Sequence, residues 1–347
     1  MTILTAPVPA VRPTCAPPRY ASWQEALRDA IRDPAELCRV LELPDEVAEA
    51  ARQACAASPG FSLFAPRGFV SRMRPGDVND PLLRQVLPVL GELEEAPGFV
   101  RDPVGDLEAE RQPGLLHKYA GRVLLVTTGV CAVHCRYCFR RHFPYSDGPR
   151  SLADWRPALE AIADDSSIRE VILSGGDPLV IVDRTVGQLV DALAEIPHLK
   201  RLRIHTRLPI VIPERVTDEL IDIVRGTRFT PVVVVHANHA NEINAHVAAA
   251  LAQLSDAGVP LLNQAVLLRG VNDTAAAQAA LCEKLVDHRV LPYYLHQLDR
   301  VAGAAHFDVP IETGRRIVAE LRDQLPGYAV PRFVAELPAE LSKTILE

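Results

Sequence analysis

Three cysteines lie close together in the middle of the chain, in a CxxxCxxC pattern: Cys131, Cys135 and Cys138. They directly follow an apolar run, Val123–Thr127, that predicts a buried strand. Three thiolates on one short loop can bind three irons of a [4Fe–4S] cluster and leave the fourth iron open to a small molecule. The alternative is a zinc site completed by His134 or His142, although zinc motifs usually pair two CxxC knuckles and the sequence has no second one. The spacing and the preceding strand favour the cluster.

The basic residues are the second group that could do chemistry. Of the 37, four are lysines: Lys118, Lys200, Lys284 and Lys343. The others are arginines, which keep their proton near neutral pH and cannot replace a lysine that must act as a neutral amine. Each lysine is therefore a possible nucleophile, although Lys343 taken alone would be read as a solvated residue.

Composition limits the class of protein. The chain has 347 residues with 48% hydrophobic content, enough to bury a sizeable core. A net charge of -7 does not favour a nucleic-acid partner. No apolar run reaches the roughly 18 residues of a membrane span, and the first residues do not form a secretory signal. Seven cysteines, three of them clustered, fit a reducing compartment better than a disulfide framework, so we expect a cytoplasmic protein without membrane association.

From residue 121 onward, short apolar runs alternate with amphipathic segments, which predicts a parallel sheet with outer helices. Six such runs predict an α/β fold of the partial (β/α)6 barrel type. The runs are Val123–Thr127, Val171–Leu173, Leu202–His205, Val232–His236, Leu261–Val266 and Leu291–Leu295. Each run ends in polar or glycine-rich residues. In such folds the chemistry gathers at the carboxyl ends of the strands.

The rest of the chain divides by composition. Residues 1–20 are rich in proline and predict a disordered arm. Residues 21–112 predict a helical cap, with helical patterns over residues 22–57 and one further helix near Pro81–Leu90. The barrel is expected over residues 113–310. Residues 311–347 predict a last helix and a short tail.

The segment from Pro113 to Thr344 resembles lysine 2,3-aminomutase, a family of radical S-adenosylmethionine (SAM) enzymes that also use pyridoxal phosphate (PLP). The motifs that carry the resemblance are CRYCFRRHFPY, SGGDPL, HTRLPIVIPERVT, HANHANEI, NQAVLLRGVND and PYYLHQLDRVAGAAHF. Within the family the chain is most similar to the short EpmB subgroup, which acts on elongation factor P. The longer members carry a zinc-binding tail that has no counterpart in this sequence.

The resemblance assigns a cofactor role to many residues. It implies that Cys131, Cys135 and Cys138 ligate a [4Fe–4S] cluster and that Lys343 is the catalytic lysine that holds PLP. The implied SAM contacts are Gly175, Gly176, Asp177, His236 and Gln264. The implied PLP contacts are Lys118, Tyr119, Arg122, Tyr137 and Arg207. Tyr137 stands where longer members have histidine.

The resemblance also implies a substrate and a reaction. Arg140 would hold the carboxylate of L-lysine, and Asp299 and Glu336 would hold its distal ammonium group. Glu336 stands where the longer enzymes have aspartate. The implied reaction isomerises L-lysine to (R)-β-lysine with a flavodoxin- or ferredoxin-type electron donor, in functional link with an elongation factor P lysine ligase. The alternatives are a free-standing aminomutase that makes β-lysine for metabolism and a non-catalytic protein that binds a cluster or zinc.

Overall fold

A computed structural model describes residues 18–145, 149 and 151–347. Nearly all of the expected disordered arm, residues 1–17, lies outside the described residues, so that expectation stays a prediction.

From residue 18 onward, the described residues form four α-helices before the sheet: α1 (Trp23–Arg28), α2 (Pro34–Val40), α3 (Asp45–Ala57) and α4 (Arg67–Val70). The side chain of Asp33 caps α2, and Pro34 occupies its first turn, where a missing N–H costs nothing. The prediction of a helix near Pro81–Leu90 is wrong. The structure has two single 3₁₀ turns there, Leu83–Gln85 and Leu90–Leu93. Pro88 lies between them, and proline disfavours helical backbone at the residue before it.

Ten strands form one sheet in sequential order. They are β1 (Glu110–Gln112), β2 (Leu115–Tyr119), β3 (Arg122–Thr128), β4 (Glu170–Gly175), β5 (Arg201–Thr206), β6 (Thr230–Val235), β7 (Leu261–Val266), β8 (Val290–His296), β9 (Arg332–Ala335) and β10 (Thr344–Ile345). Strands β3 to β9 are parallel, whereas β1, β2 and β10 pair antiparallel with their neighbours.

Helices connect the parallel strands. They are α5 (Leu152–Asp164), α6 (Asp183–Ala194), α7 (Leu208–Val211), α8 (Asp218–Gly226), α9 (Ala245–Asp256), α10 (Ala275–Asp287) and α11 (Ile311–Gln324). Ser151, Thr217, Asn244 and Thr274 each cap a helix by accepting a backbone N–H. None of the described helices is both long and apolar enough to cross a membrane.

The expected α/β partial barrel is confirmed, and the six predicted runs correspond to β3 to β8. The sheet contains four further strands. Strand β1 lies within residues 110–112, at the end of the expected cap, and pairs with β2. Buried side chains of the N-terminal helices, including Trp23 and Phe69, share one hydrophobic core with strand residues such as Leu125. The division into domains stays a prediction.

The two ends of the sheet approach each other across its concave face. Lys118 of β2 donates a hydrogen bond of 3.0 Å to Oε1 of Glu336, which directly follows β9. Lys343, next to β10, pairs with the other carboxylate oxygen of Glu336. The curved sheet therefore surrounds an interior cavity.

Candidate active site

The cavity inside the sheet has a volume of about 760 Å³, in the upper half of the roughly 300–1,000 Å³ typical of small-molecule sites. Residues from β2 through β10 line it. Every site residue predicted from the sequence is among the lining residues. The structure therefore brings the three cysteines and Lys343 to one cavity. Two separate groups of hydrogen bonds and ion pairs lie within it. The group around the cysteines is called the cysteine side, and the group around Lys343 is called the lysine side.

The cysteine loop follows β3 and is held in place by the segment before the sheet. The backbone N–H of His134 donates to the carbonyl of Phe64 at 3.0 Å, and that of Arg136 donates to the carbonyl of Gln85 at 2.9 Å. Within the loop, the N–H of Cys138 donates to the carbonyl of Cys135 at 2.9 Å. The N-terminal segment therefore fixes the loop from outside the sheet.

A buried ion triplet reinforces this attachment. Arg136 donates from Nε to Oε1 of Glu92 at 2.8 Å, and Nη2 of Arg141 lies 2.6 Å from Oε2 of the same carboxylate. Both guanidinium groups also lie over the ring of Phe61, at 4.5 and 4.7 Å from its centre. Because all three charged side chains are nearly inaccessible, loss of Glu92 would leave two buried cations without their anion.

The two histidines that could complete a zinc site are engaged elsewhere. Nδ1 of His134 lies 2.7 Å from the carbonyl of Ser62, and its ring stacks on Phe61 with centroids 5.0 Å apart. Nε2 of His142 lies 3.0 Å from the carbonyl of Ala302. In the described parts of the chain, no three His, Cys, Asp or Glu side chains gather closely enough to ligate one metal ion. Three cysteines of one loop line the cavity, and without a fourth ligand near them among the described residues they suit a [4Fe–4S] cluster better than a zinc ion.

Burial raises the pKa of the Cys131 thiol and raises that of Cys138 to about 11. Both thiols are therefore protonated at neutral pH until a metal displaces the protons. All three cysteines are free rather than disulfide-bonded. The thiols thus remain available as ligands.

Gly175 and Gly176 pack against the start of the cysteine loop. The N–H of Gly176 donates to the carbonyl of Thr128 at 2.7 Å. A Cβ on Gly175 would lie 2.6 Å from that oxygen, and one on Gly176 would lie 2.3 Å from the carbonyl of Val130. Glycine is required here for close approach of the two backbones, which leaves SAM contact by these residues a prediction.

The expected SAM contact of Asp177 finds no support in its hydrogen bonds. Its Oδ1 accepts from Oγ1 of Thr206 at 2.7 Å and from the N–H of Leu179 at 3.0 Å. Its Oδ2 accepts from the N–H groups of Arg207 and Leu208 at 2.7 and 3.2 Å. With both oxygens accepting from protein donors, the carboxylate of Asp177 positions the end of β5, and its contact with SAM stays a prediction.

His236, directly after β6, and Gln264 of β7 both line the cavity. Burial, together with the charge of Arg207, lowers the pKa of His236 to about 3, so its ring is neutral. Its Nε2 lies 2.7 Å from the hydroxyl of Tyr137, and the two rings stack at 5.7 Å. The amide of Asn238 donates to the same hydroxyl at 2.7 Å. Tyr137 therefore belongs to the cysteine side of the cavity.

The described hydrogen bonds of Arg207 also lie on the cysteine side, and the expectation that it frames PLP stays a prediction. Its Nη1 donates to Sγ of Cys135 at 2.7 Å. Its Nη2 donates to Gln85 at 2.6 Å and pairs with Glu242 at 3.0 Å. With both terminal nitrogens occupied, Arg207 has no described contact with the lysine side of the cavity. The hydrogen bonds of Arg207 and Tyr137 thus do not support a PLP contact.

The lysine side of the cavity is organised by Asp106, which the sequence did not single out. Nζ of Lys118 lies 2.5 Å from Oδ1 of Asp106, and Nε of Arg140 lies 2.6 Å from Oδ2. Glu336 then links Lys118 to Lys343. One chain of alternating charges thereby connects Arg140, predicted to hold the substrate carboxylate, with Lys343.

Glu336 is paired with two cations, Lys118 and Lys343. Although burial acts in the opposite direction, Lys343 and Lys118 lower the pKa of the Glu336 carboxyl. Asp299 lies in the same part of the cavity. Burial and the negative charge of Glu336 raise the pKa of Asp299 to about 7. These two carboxyls form the acidic pole of the cavity.

Cations and unpaired ring nitrogens face the same space as Lys343. The guanidinium of Arg122 lies over the ring of Tyr119 at 4.6 Å, at the cavity wall. Nε2 of His205 and Nε2 of His296 are buried without a hydrogen-bond partner in the structure, and both residues line the cavity. A polar ligand would satisfy them. Basic groups together with free ring nitrogens suit a phosphate-bearing aromatic group.

Sequence reasoning missed several residues that hold the site together. Asp106, Gln85 and Glu242 are buried, and each bonds to at least two predicted or neighbouring site residues. His205 and His296 could have been found, because each stands at the carboxyl end of a predicted strand. Asp106 carries no such signal, since it lies in an irregular Pro- and Gly-containing segment.

Residues 125–280 match the model of the Radical SAM superfamily. Fold, cysteine loop and match together define a radical SAM enzyme, a class that binds a [4Fe–4S] cluster and SAM.

Relatives that match most of the chain identify its family within this class. An L-lysine 2,3-aminomutase of Escherichia coli is 46% identical over 95% of this chain and 96% of its own length. That of Haemophilus influenzae is 45% identical over 93% and 95%. That of Clostridium subterminale is 39% identical over 94% of this chain and 77% of its own length. The chain belongs to the L-lysine 2,3-aminomutase family, a family of isomerases.

Proposed function

We propose that this chain isomerises L-lysine to (R)-β-lysine with a [4Fe–4S] cluster, SAM and PLP, and that the product is used to modify elongation factor P. The observation that carries the proposal is the shared cavity. Three cysteines line one part of it, and Lys343 lies in another part beside a cation and two carboxyls suited to an amino acid with a second amine. The resemblance to the short subgroup supports the use of the product.

Each cofactor would supply a different part of the reaction. When bound, the cluster and SAM would supply a radical that removes a hydrogen from the substrate, and PLP would hold the migrating amine. Cys131, Cys135 and Cys138 would hold the cluster. Lys343 would attach PLP, with Lys118, Tyr119 and Arg122 close to it.

The substrate would be held at both ends. Arg140 uses Nε for Asp106 and Nη1 for Ser174, which leaves Nη2 for the substrate carboxylate. Asp299 and Glu336 would receive the distal ammonium, since two carboxyls at one pole attract a cation. To do so, Glu336 must give up its contact with Lys343, which attachment of PLP to that lysine would bring about.

Partners follow from the same proposal. A flavodoxin- or ferredoxin-type protein would deliver the electron that reduces the cluster. A ligase would then transfer β-lysine to elongation factor P.

Product analysis is the primary test. The protein is reconstituted anaerobically with iron and sulfide and given SAM, PLP, dithionite and L-lysine, and the products are separated by chiral chromatography. We expect (R)-β-lysine. Deoxyadenosine without β-lysine would overturn the substrate. Neither product from a fully loaded protein would favour the non-catalytic alternative.

Attachment of PLP can be tested without the cluster. After borohydride reduction, peptide mass mapping locates PLP on one of four lysines. We expect label on Lys343, loss of label in Lys343→Ala and unchanged label in Lys200→Ala, because Lys200 is exposed and outside the cavity. Label on Lys118 in the unsubstituted protein would reassign the attachment site.

The use of the product is tested separately. Elongation factor P, its lysine ligase, ATP and the reaction product are combined, and the mass of the factor is measured. A mass increase of one lysyl residue that depends on this enzyme supports the proposal. If L-lysine and the product are transferred equally well, the free-standing aminomutase becomes the better assignment.

A further inference from the structure

Arg207 makes a contact that the proposed PLP and substrate sites do not use. Its Nη1 donates a hydrogen bond to Sγ of Cys135 at 2.7 Å. Arg207 is 6% exposed, so a full positive charge lies against this sulfur away from bulk water. Such a charge is screened little by solvent or salt.

The guanidinium is fixed in this position. Nη2 donates to Oε1 of Gln85 at 2.6 Å and pairs with Oε2 of Glu242 at 3.0 Å. The backbone N–H of Arg207 donates to Asp177 at 2.7 Å. Arg207 cannot leave the sulfur without breaking contacts on two other sides.

Glu242 is the anion that partly balances Arg207. It is fully buried, and its Oε1 accepts from the N–H of Asn238 at 2.8 Å and from Nε2 of Gln85 at 3.1 Å. Although burial opposes ionisation, Arg207 and these donors lower the pKa of Glu242. The cysteine loop thus lies beside a fixed cation and, one residue further away, a fixed anion.

We propose that Arg207 and Glu242 set the reduction potential of the cluster, with Arg207 raising it and Glu242 partly offsetting that effect. The proposal rests on ligation of the cluster by Cys135. Reduction adds one electron, supplied by the external donor, and therefore one negative charge to the cluster. A cation that donates to a ligand sulfur stabilises this more negative state, because hydrogen bonds to sulfur and local charge are among the factors that set cluster potentials.

The two residues predict shifts of opposite sign. Arg207→Gln removes the cation, so at a fixed potential the ratio of reduced to oxidised cluster should fall about tenfold, a midpoint about 59 mV more negative. Glu242→Gln keeps the shape of the side chain and removes the anion, so the midpoint should become more positive. Arg207→Lys keeps the charge and should shift the midpoint less than Arg207→Gln. A purely structural role would not produce opposite signs.

Arg203→Gln is the matched control. Arg203 lies on β5, which ends directly before Arg207, donates to Glu170 at 2.8 Å and has no described contact with a cysteine. Four residues of nearly extended chain place it about 13 Å from Arg207, where its charge acts more weakly on the sulfur. Its removal should leave the midpoint within experimental error.

The measurement is a dithionite titration of each reconstituted variant, followed by electron paramagnetic resonance of the reduced cluster. If Arg207→Gln does not fold, the positive shift of Glu242→Gln decides alone. Shifts of the same sign, or no shift in either variant, would overturn the proposal. Cys135→Ala separates this failure from the underlying assignment, because an unchanged cluster spectrum in that variant would mean that Cys135 is not a ligand.

Discussion

Asp299 is expected to destabilise the ligand-free protein at neutral and alkaline pH. Burial and the charge of Glu336 raise its pKa from the ordinary 3.8 to about 7. Because the folded-state pKa lies above the unfolded one, the contribution of Asp299 to stability is fully present below pH 3.8. It is lost as the pH rises to about 7. Asp299→Asn removes this dependence, since an amide does not ionise.

The size of the expected change in unfolding free energy follows from the pH interval between the unfolded and folded pKa values of Asp299. Each pKa unit corresponds to 1.36 kcal/mol, so between pH 5 and pH 7 the wild-type protein loses up to about 3 kcal/mol that the variant keeps. Solvent in the cavity lowers this to about 1–3 kcal/mol. The assay is urea unfolding of the ligand-free protein at half-unit intervals from pH 5 to pH 8. We expect the stability advantage of Asp299→Asn to grow with pH and to level off above pH 7.

The control is Asp106→Asn, at a carboxyl group of the same cavity whose pKa is shifted in the opposite direction. Although burial acts against it, Arg140 and Lys118 lower the pKa of Asp106 below its ordinary value. Its stabilisation is therefore complete above pH 4 and is lost only at lower pH. Removing this buried partner should cost about 3–5 kcal/mol at every pH from 5 to 8. The reasoning would be refuted if the stability advantage of Asp299→Asn over the wild-type protein stayed constant from pH 5 to pH 8, or if the variant were less stable.

Three further substitutions test the cysteine loop and the substrate site. Glu92→Gln should destabilise the fold by about 3–5 kcal/mol and reduce the iron bound per chain, because two buried arginines of the loop lose their anion. Undiminished iron content at normal stability would contradict this. Gly176→Ala places a Cβ 2.3 Å from the carbonyl of Val130 and should also reduce iron content, whereas Gly60→Ala meets no atom within 4 Å and should not. Arg140→Lys removes a forked donor and should raise KM for L-lysine about 10- to 100-fold in the product assay, with an unchanged KM counting against carboxylate binding.

Much of the fold could be predicted because the central strands carry a strong local signal. Strands such as β4 and β6 are continuous apolar runs, as expected where helices cover a parallel sheet. The outer strands lack this signal. β10 has two residues, and β1 is exposed along its length. Their positions are set by pairing with distant strands, which periodicity does not reveal.

The candidate site was predictable to the extent that strand ends point to it. All the predicted residues line the cavity, but the sequence does not give side-chain direction or partners. Arg207 was assigned to PLP on residue type and resemblance, and its fork instead bonds Cys135 and Glu242. Asp106 was missed because its partners, Lys118 and Arg140, lie in other elements and no local pattern joins them.

The contacts of Glu336 indicate when the cavity is completed during folding. Its carboxylate joins Lys118 to a segment 218 residues later in the sequence, across the whole width of the sheet. A contact with so large a sequence separation has a high loop-closure cost and forms only when the intervening strands are in place. We therefore expect the acidic pole of the cavity to form late in folding, and a partly folded chain to lack it. Any ligand that needs this pole binds the finished fold selectively and shifts the folding equilibrium toward it by mass action.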